Sequence, residues 1–250
     1  MNKKIIYNCA GILILILLWF VLSIIFNNEL VVPKILTVFK KMISIFSKKN
    51  IYIIIITSLL KIIMIMFVSL MISILFSLLS YKYQSFEYII EPFINLIKTM
   101  PLITIIILIF MMFRMKYASI IATLLVSIPI MYEGILNALK SIDKDMLDDL
   151  TTLTNPKSIC SIIHIHIPII FTYIKASLAQ SLGLGFKVML MAEYISPMNN
   201  TLGAEMRKYY NNNEMEAVYC IVIISTIIVS IVSALTKTII SKEIKKTFKK

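Results

Sequence analysis

The sequence predicts an all-α integral membrane protein with six transmembrane helices. Three observations predict it. Of the 250 residues, 59% are hydrophobic and only 15% charged, against roughly 45–50% and about 25% in an average soluble domain. Mean hydropathy is +0.91. Long apolar runs recur along the chain with lysines at their ends, where positive charge anchors helices among lipid headgroups. A soluble globule of this size lacks the polar surface to cover so much apolar material, and a disordered chain is excluded for the same reason.

The first run, Ile5 to Phe26, follows Lys3 and Lys4. At 1.5 Å per residue it spans about 33 Å, enough for the hydrocarbon core. It is longer than the apolar part of a signal peptide and no small-residue cleavage site follows, so it reads as a retained first span. In 33–48, Lys34, Thr37, Lys41, Ser44 and Lys48 recur at three- and four-residue steps. Ile35, Leu36, Phe39, Met42, Ile43 and Phe46 fill the opposite face. This is an amphipathic helix begun by Pro33, too polar to span and suited to an interface.

Ile51 to Ser80 is the longest run and contains Lys61. It exceeds the bilayer, so its first turns project beyond it and Lys61 is expected to reach the outer interface. A mixed stretch, Tyr81 to Lys98, leads through Met100-Pro101 into the short run Leu102 to Phe113. Tyr117 to Leu136 is the next span, with Pro129 in its second half. Ile169 to Met191 and Val218 to Ile240 complete the set. The organisation is therefore residues 1–50 as a first span plus external amphipathic helix, 51–240 as a core of five spans, and 241–250 as a basic tail.

Six spans place both termini on one side. With the termini inside, the inner segments hold 13 Lys/Arg and the outer segments nine. The terminal lysines favour a cytoplasmic N- and C-terminus at the anionic inner leaflet. The net charge of +12 is thus a membrane signature and implies no nucleic-acid partner, which would need a soluble basic surface interleaved with aromatics. Cys9, Cys160 and Cys220 are scattered and form no metal or disulfide pattern. His164 and His166 sit at i and i+2, where helical side chains diverge. No metal, cofactor or catalytic residue is expected, and no nucleotide-binding motif is present.

Residues 137–168 form a polar inner loop too long for a helical hairpin connection. Asp143, Asp145, Asp148 and Asp149 cluster there, followed by Thr151, Thr152, Thr154, Asn155 and Pro156. Asn155-Pro156 reads as a cap and first helical residue, so one helix should end near Leu153 and a second start at Pro156.

The run from Asp149 to Asn155, closing at Ile167-Pro168, resembles the cytoplasmic loop of ABC importer permeases. Asp149 falls on that family's Glu, Asn155 on its Gly and Pro168 on its Pro, while Leu150 and Thr151 stand where the family has alanines. Further segments resemble the nitrate/sulfonate/taurine branch in order and spacing. They are Ser58-Leu59-Leu60-Lys61, Glu91-Pro92 with Lys98-Thr99-Met100-Pro101, Gly183-Leu184-Gly185-Phe186-Lys187-Val188 with Ala192-Glu193, and Thr201-Leu202-Gly203.

The resemblance covers roughly residues 30–240. It implies a type I importer permease fold, two copies of which enclose a pathway, with two cytoplasmic ATPase subunits and an external substrate-binding protein as partners. On this reading Asp148, Asp149, Leu150, Thr151, Thr154, Asn155, Pro156 and Lys157 dock on the ATPase. The solute would be a small anion, a sulfonate or a vitamin precursor.

Three lysines lie within spans: Lys61, Lys175 and Lys187. Such a charge costs roughly 2.5–3.5 kcal/mol at a helix centre. Lys175 is expected to snorkel inward. Lys187 either snorkels outward or faces the pathway, and with Phe186 and Glu193 it forms the set of pathway candidates. Glu193 would pair with a basic partner or cap the exit. A six-span membrane enzyme and a non-transporting scaffold are the competing readings; the enzyme would need clustered catalytic residues in or beside the spans.

Overall fold

The computed structural model describes residues 3–113, 115–140 and 167–247. The described residues form α1 (Lys3–Phe26), α2 (Ile35–Phe46), α3 (Lys49–Lys82), α4 (Gln84–Thr99), α5 (Leu102–Met112), α6 (Met115–Lys140), α7 (Ile167–Ile195), α8 (Leu202–Asn211) and α9 (Met215–Thr247). The inner-loop residues Asp148–Lys157, with the two helices expected around them, lie outside the described residues, as do His164 and His166.

The expected six spans are not all carried by length and composition. Among the described residues three helices alone are long and apolar enough to cross a membrane: α3, α6 and α9. The pair α4–α5, bent by 106°, makes a fourth when taken as one broken span. In α1 the apolar helix measured this way is the shorter Ala10–Phe26. The 29-residue α7 is diluted by Lys175, Ser177, Gln180, Ser181, Lys187 and Glu193.

The α4–α5 break follows from Met100-Pro101. A residue before proline is pushed out of helical conformation, and Met100 has ψ 137°. Pro101 then sits at the N-cap of α5.

Helices α3 and α6 run parallel. Ser73 Oγ donates to Ile128 O at 3.1 Å and Ser77 Oγ to Tyr132 O at 2.9 Å, a constant separation of 55 residues. The packing is dense because small side chains recur every four residues on three helices. Ser69, Ser73 and Ser77 on α3, Ser119, Thr123 and Ser127 on α6, and Ser177, Ser181 on α7 are all buried. Gly185 continues the α7 row, and a Cβ there would lie 2.8 Å from Ser127 Oγ. At Gly134 a Cβ would lie 2.4 Å from Ser177 Cβ. Small residues at such spacing let helices in lipid approach closely, where the hydrophobic effect gives no drive to associate. Gly183, by contrast, meets nothing within 4 Å. The main apolar cluster, including Ile54, Ile62, Met66, Met189, Leu202 and Ile221, joins α3, α7, α8 and α9.

Helix α2 begins at Ile35 and lies on this core, but not by its whole apolar face. Val38 and Ile45 are buried, whereas Leu36, Phe39 and Ile43 stay exposed. The rotation draws Lys41 inward, and its Nζ lies 2.5 Å from Glu214 Oε2 and 3.7 Å from Glu216 Oε1. The hydrogen bond with Lys41 holds the Glu214 carboxyl below the usual carboxylate range, and the same bond raises Lys41 above the usual lysine range. A lowered acid contributes stability above its unfolded pKa and loses it as pH falls through the folded value. A raised base contributes below its unfolded pKa and loses it as pH rises through the folded value. The clasp between α2 and the start of α9 therefore holds from the lowered Glu214 value to the raised Lys41 value. For a pair this accessible it is worth roughly 0.2–1 kcal/mol. Hydrogen exchange of α2 should accelerate at the acid end in the wild type and lose that acid dependence in Glu214→Gln. An identical pH profile in both proteins would show that the pair does not hold α2.

Candidate functional site

Two features stand out against this scaffold: a buried charge cluster at one end of α7 and a polar exposed face along it. In the cluster, Lys61 Nζ donates to Glu193 Oε1 at 2.9 Å and to Ser119 Oγ at 2.6 Å. The Glu193 side chain is 1% exposed and that of Lys61 17%. The second carboxylate oxygen accepts from the Gly203 backbone N–H at 3.3 Å. One carboxylate thus joins α3, α7 and the first turn of α8, and Lys61 adds α6.

The local sequence explains why this is possible. Gly203 lies in the first turn of α8, where backbone N–H groups have no helical acceptor and the helix dipole favours an anion. Only glycine fits, because a Cβ there would lie 2.5 Å from Glu193 Cβ and 2.6 Å from Leu190 O. Thr201 caps α8 by accepting from the Ala204 N–H at 3.3 Å, and Asn200, with φ 61°, makes the preceding turn. Arg207 Nη1 donates to the Ile195 and Tyr194 carbonyls at 2.8 and 3.2 Å. These are among the carbonyls that the end of α7 leaves without helical partners.

Lys61, expected to reach the outer interface, is held at this end of the bundle by Glu193 and Ser119. The pairing also answers which role Glu193 takes in the protomer. The sequence carried a signal for it: two opposite charges, Lys61 inside an apolar run and Glu193 at the end of one. Their separation of 132 residues hid it.

The three pathway candidates are not brought together. Phe186 is 2% exposed and belongs to the apolar core, so it lines no open surface in this conformation. Glu193 is held in the cluster. Lys187 alone is exposed. It lies in one row with Tyr173 and Gln180, at seven-residue steps, and all three are exposed. Met191, one turn beyond Lys187, is exposed as well, and the unencumbered Gly183 lies between Gln180 and Lys187. Lys175 is half-buried. Among the described residues no group of three or more His, Cys, Asp or Glu could hold a metal ion.

The sequence model of the family described as "binding-protein-dependent transport system inner membrane component" matches residues 69–246. The chain belongs to this family. It is a multi-pass membrane protein and the permease component of an ABC importer, a system that works with an ATPase and a substrate-binding protein. The match takes in the whole of α4 to α8, nearly all of α9 and the exposed face of α7. It leaves out α1, α2 and the first part of α3 with Lys61, so the permease's family signature starts later than the resemblance at residue 30. No curated protein matches the chain.

Proposed function

We propose that the permease is the transmembrane subunit of an ATP-driven importer of the nitrate/sulfonate/taurine branch. It moves a small anion, a sulfonate or a vitamin precursor. Two copies pack as a homodimer with the α7 faces lining the pathway between them. Six spans, with both termini cytoplasmic, place residues Asp148–Lys157 inside. There they dock on the ATPase, while an external binding protein delivers the solute.

The observation that carries this reading is the α7 face. A lysine and a glutamine exposed in the middle of a long helix are too costly to set against lipid, at roughly 2.5–3.5 kcal/mol for the lysine alone. A second subunit or a water-filled path removes that cost. In a path, the two Lys187 ammonium groups of a dimer would favour anions over cations.

Two experiments test the proposal. Lys187→Met should fold, assemble with the ATPase and move solute at least several-fold more slowly. Normal uptake at normal abundance would make Lys187 an interface anchor and remove the pathway assignment. For orientation, cysteines placed near Asn199 and Asn200 should react with an impermeant reagent added outside, and a cysteine at Thr152 should not. The reverse pattern would overturn the cytoplasmic termini.

A further inference from the structure

Of the five glycines in the chain, three are required by packing. A Cβ at Gly134, Gly185 or Gly203 would lie 2.4, 2.8 or 2.5 Å, respectively, from a neighbouring side-chain atom. Gly183 has no such reason, because a Cβ there would meet nothing within 4 Å. Its φ is not positive, so backbone conformation does not call for glycine either. Glycine nevertheless disfavours a helix more than any residue except proline, and Gly183 lies inside the 29-residue α7. Gly11 is open as well, but it stands among the exposed apolar residues of α1. Gly183 stands in a polar strip. Space left open at a residue the helix disfavours points to an occupant from outside this protomer.

The strip follows from helical geometry. At about 100° per residue, Tyr173, Ala176, Gln180, Gly183, Lys187 and Met191 fall within an arc of about 80°. All are exposed except Gly183, which is half-buried. Gly183 is therefore the floor of a notch. Gln180 stands one turn to one side and Lys187 one turn to the other, about 10 Å apart along the axis.

The walls of the notch select the occupant. An ammonium brings three N–H donors and a primary amide two. Neither the Lys187 ammonium nor the Gln180 amide has a hydrogen bond or ion pair among the described residues. The α7 of a second copy could also pack into a glycine notch. About a two-fold axis, though, it would set a second Lys187 against the first, and like charges repel. An anion between the two ammonium groups removes that repulsion and satisfies the donors.

We propose that the Gly183 notch is an anion-binding subsite of the pathway, where a carboxylate, sulfonate or phosphate group of the solute rests between Gln180 and Lys187. The inference rests on the reading of the α7 face as the pathway lining. Gly183 sets the width of the subsite and Lys187 its charge.

The test needs no knowledge of the solute. A single cysteine replaces Tyr173 or Gly183 in a chain whose Cys9, Cys160 and Cys220 are changed to alanine, and the permease–ATPase complex is held in nanodiscs. Labelling is timed with anionic sulfonatoethyl methanethiosulfonate and cationic trimethylammonioethyl methanethiosulfonate, each rate divided by that for a free thiol. Gly183→Cys should react at least tenfold faster with the anionic reagent, and adding Lys187→Gln should erase the preference. Ethanesulfonate, an unreactive analogue of that reagent, should slow Gly183→Cys several-fold more than Tyr173→Cys. Gly183→Ala, which adds a Cβ in open space, should melt no lower than the wild type. Failure of both positions to react with either reagent would overturn the pathway reading, and the notch with it. With Tyr173→Cys reactive, four results would overturn the notch alone. They are no anion preference at Gly183→Cys, a preference that survives Lys187→Gln, equal slowing of both positions by ethanesulfonate, and a lower melting temperature for Gly183→Ala, which would seat a partner helix there.

Discussion

Glu193→Leu is expected to lose most of its folded, membrane-inserted protein. The substitution leaves the Lys61 ammonium buried beside Ser119 without a counter-charge and takes the acceptor from the Gly203 N–H. Breaking a buried ion pair from one side costs about 3–5 kcal/mol, because an uncompensated charge is left behind. That is a large part of the roughly 5–15 kcal/mol that holds a typical domain together. The double variant Lys61→Gln/Glu193→Gln keeps hydrogen-bonding groups at both positions and removes both charges. It should therefore lose far less than Glu193→Leu alone. Thermal unfolding of the purified proteins measures the difference. Equal melting temperatures for Glu193→Leu and the wild type would show that the cluster is not what fastens α3 and α8 to α7.

The second large effect falls on the proposed inner loop. On the proposed reading Asp149 takes the place of the acid in the family's loop pattern, and it lies inside the matched residues 69–246. Reversing its charge in Asp149→Lys should abolish co-purification of the ATPase, or its stimulation, by tenfold or more. The permease itself should remain in the membrane at normal abundance, because the change lies in a polar segment of the sequence between the apolar runs. Wild-type stimulation and co-purification in this variant would remove the docking role from Asp148–Lys157.

The fold was legible in the sequence wherever one run decided one helix. The runs at Ile51, Tyr117 and Val218 each fall inside one helix, α3, α6 and α9, which extend beyond them at both ends, and Met100-Pro101 marks the α4–α5 break by a local steric rule. The rest depends on which face a helix turns inward. Helix α2 had a clear lysine row, yet Lys41 is drawn in because Glu214 and Glu216 wait on the start of α9. Phe186 and Lys187 are neighbours in sequence, but about 100° of helical rotation sends one to the core and the other to an open face. The rows Ser69/Ser73/Ser77 and Ser119/Thr123/Ser127 were readable as four-residue repeats, although only their burial shows that they are packing surfaces.

The same limit applies to the candidate site. The absence of an acid three or four residues from Lys187 is a sequence fact. The open Gly183 beside it is not, because Gly185, two residues on, is tightly packed. Glu193 had been read as pairing with a basic partner or capping the exit, and the distance of 2.9 Å to Lys61 names that partner.

The central claim is that this chain is the membrane path of an ATP-driven importer. It is tested most directly by reconstituting the permease with its ATPase in vesicles, with the binding protein and the small molecule that protein carries on the external face. Accumulation in the lumen is then followed with and without ATP. The account predicts accumulation that requires ATP and the binding protein, and that Asp149→Lys abolishes. Accumulation that proceeds equally without ATP, or ATP hydrolysis that is the same whether or not the permease is present, would contradict it.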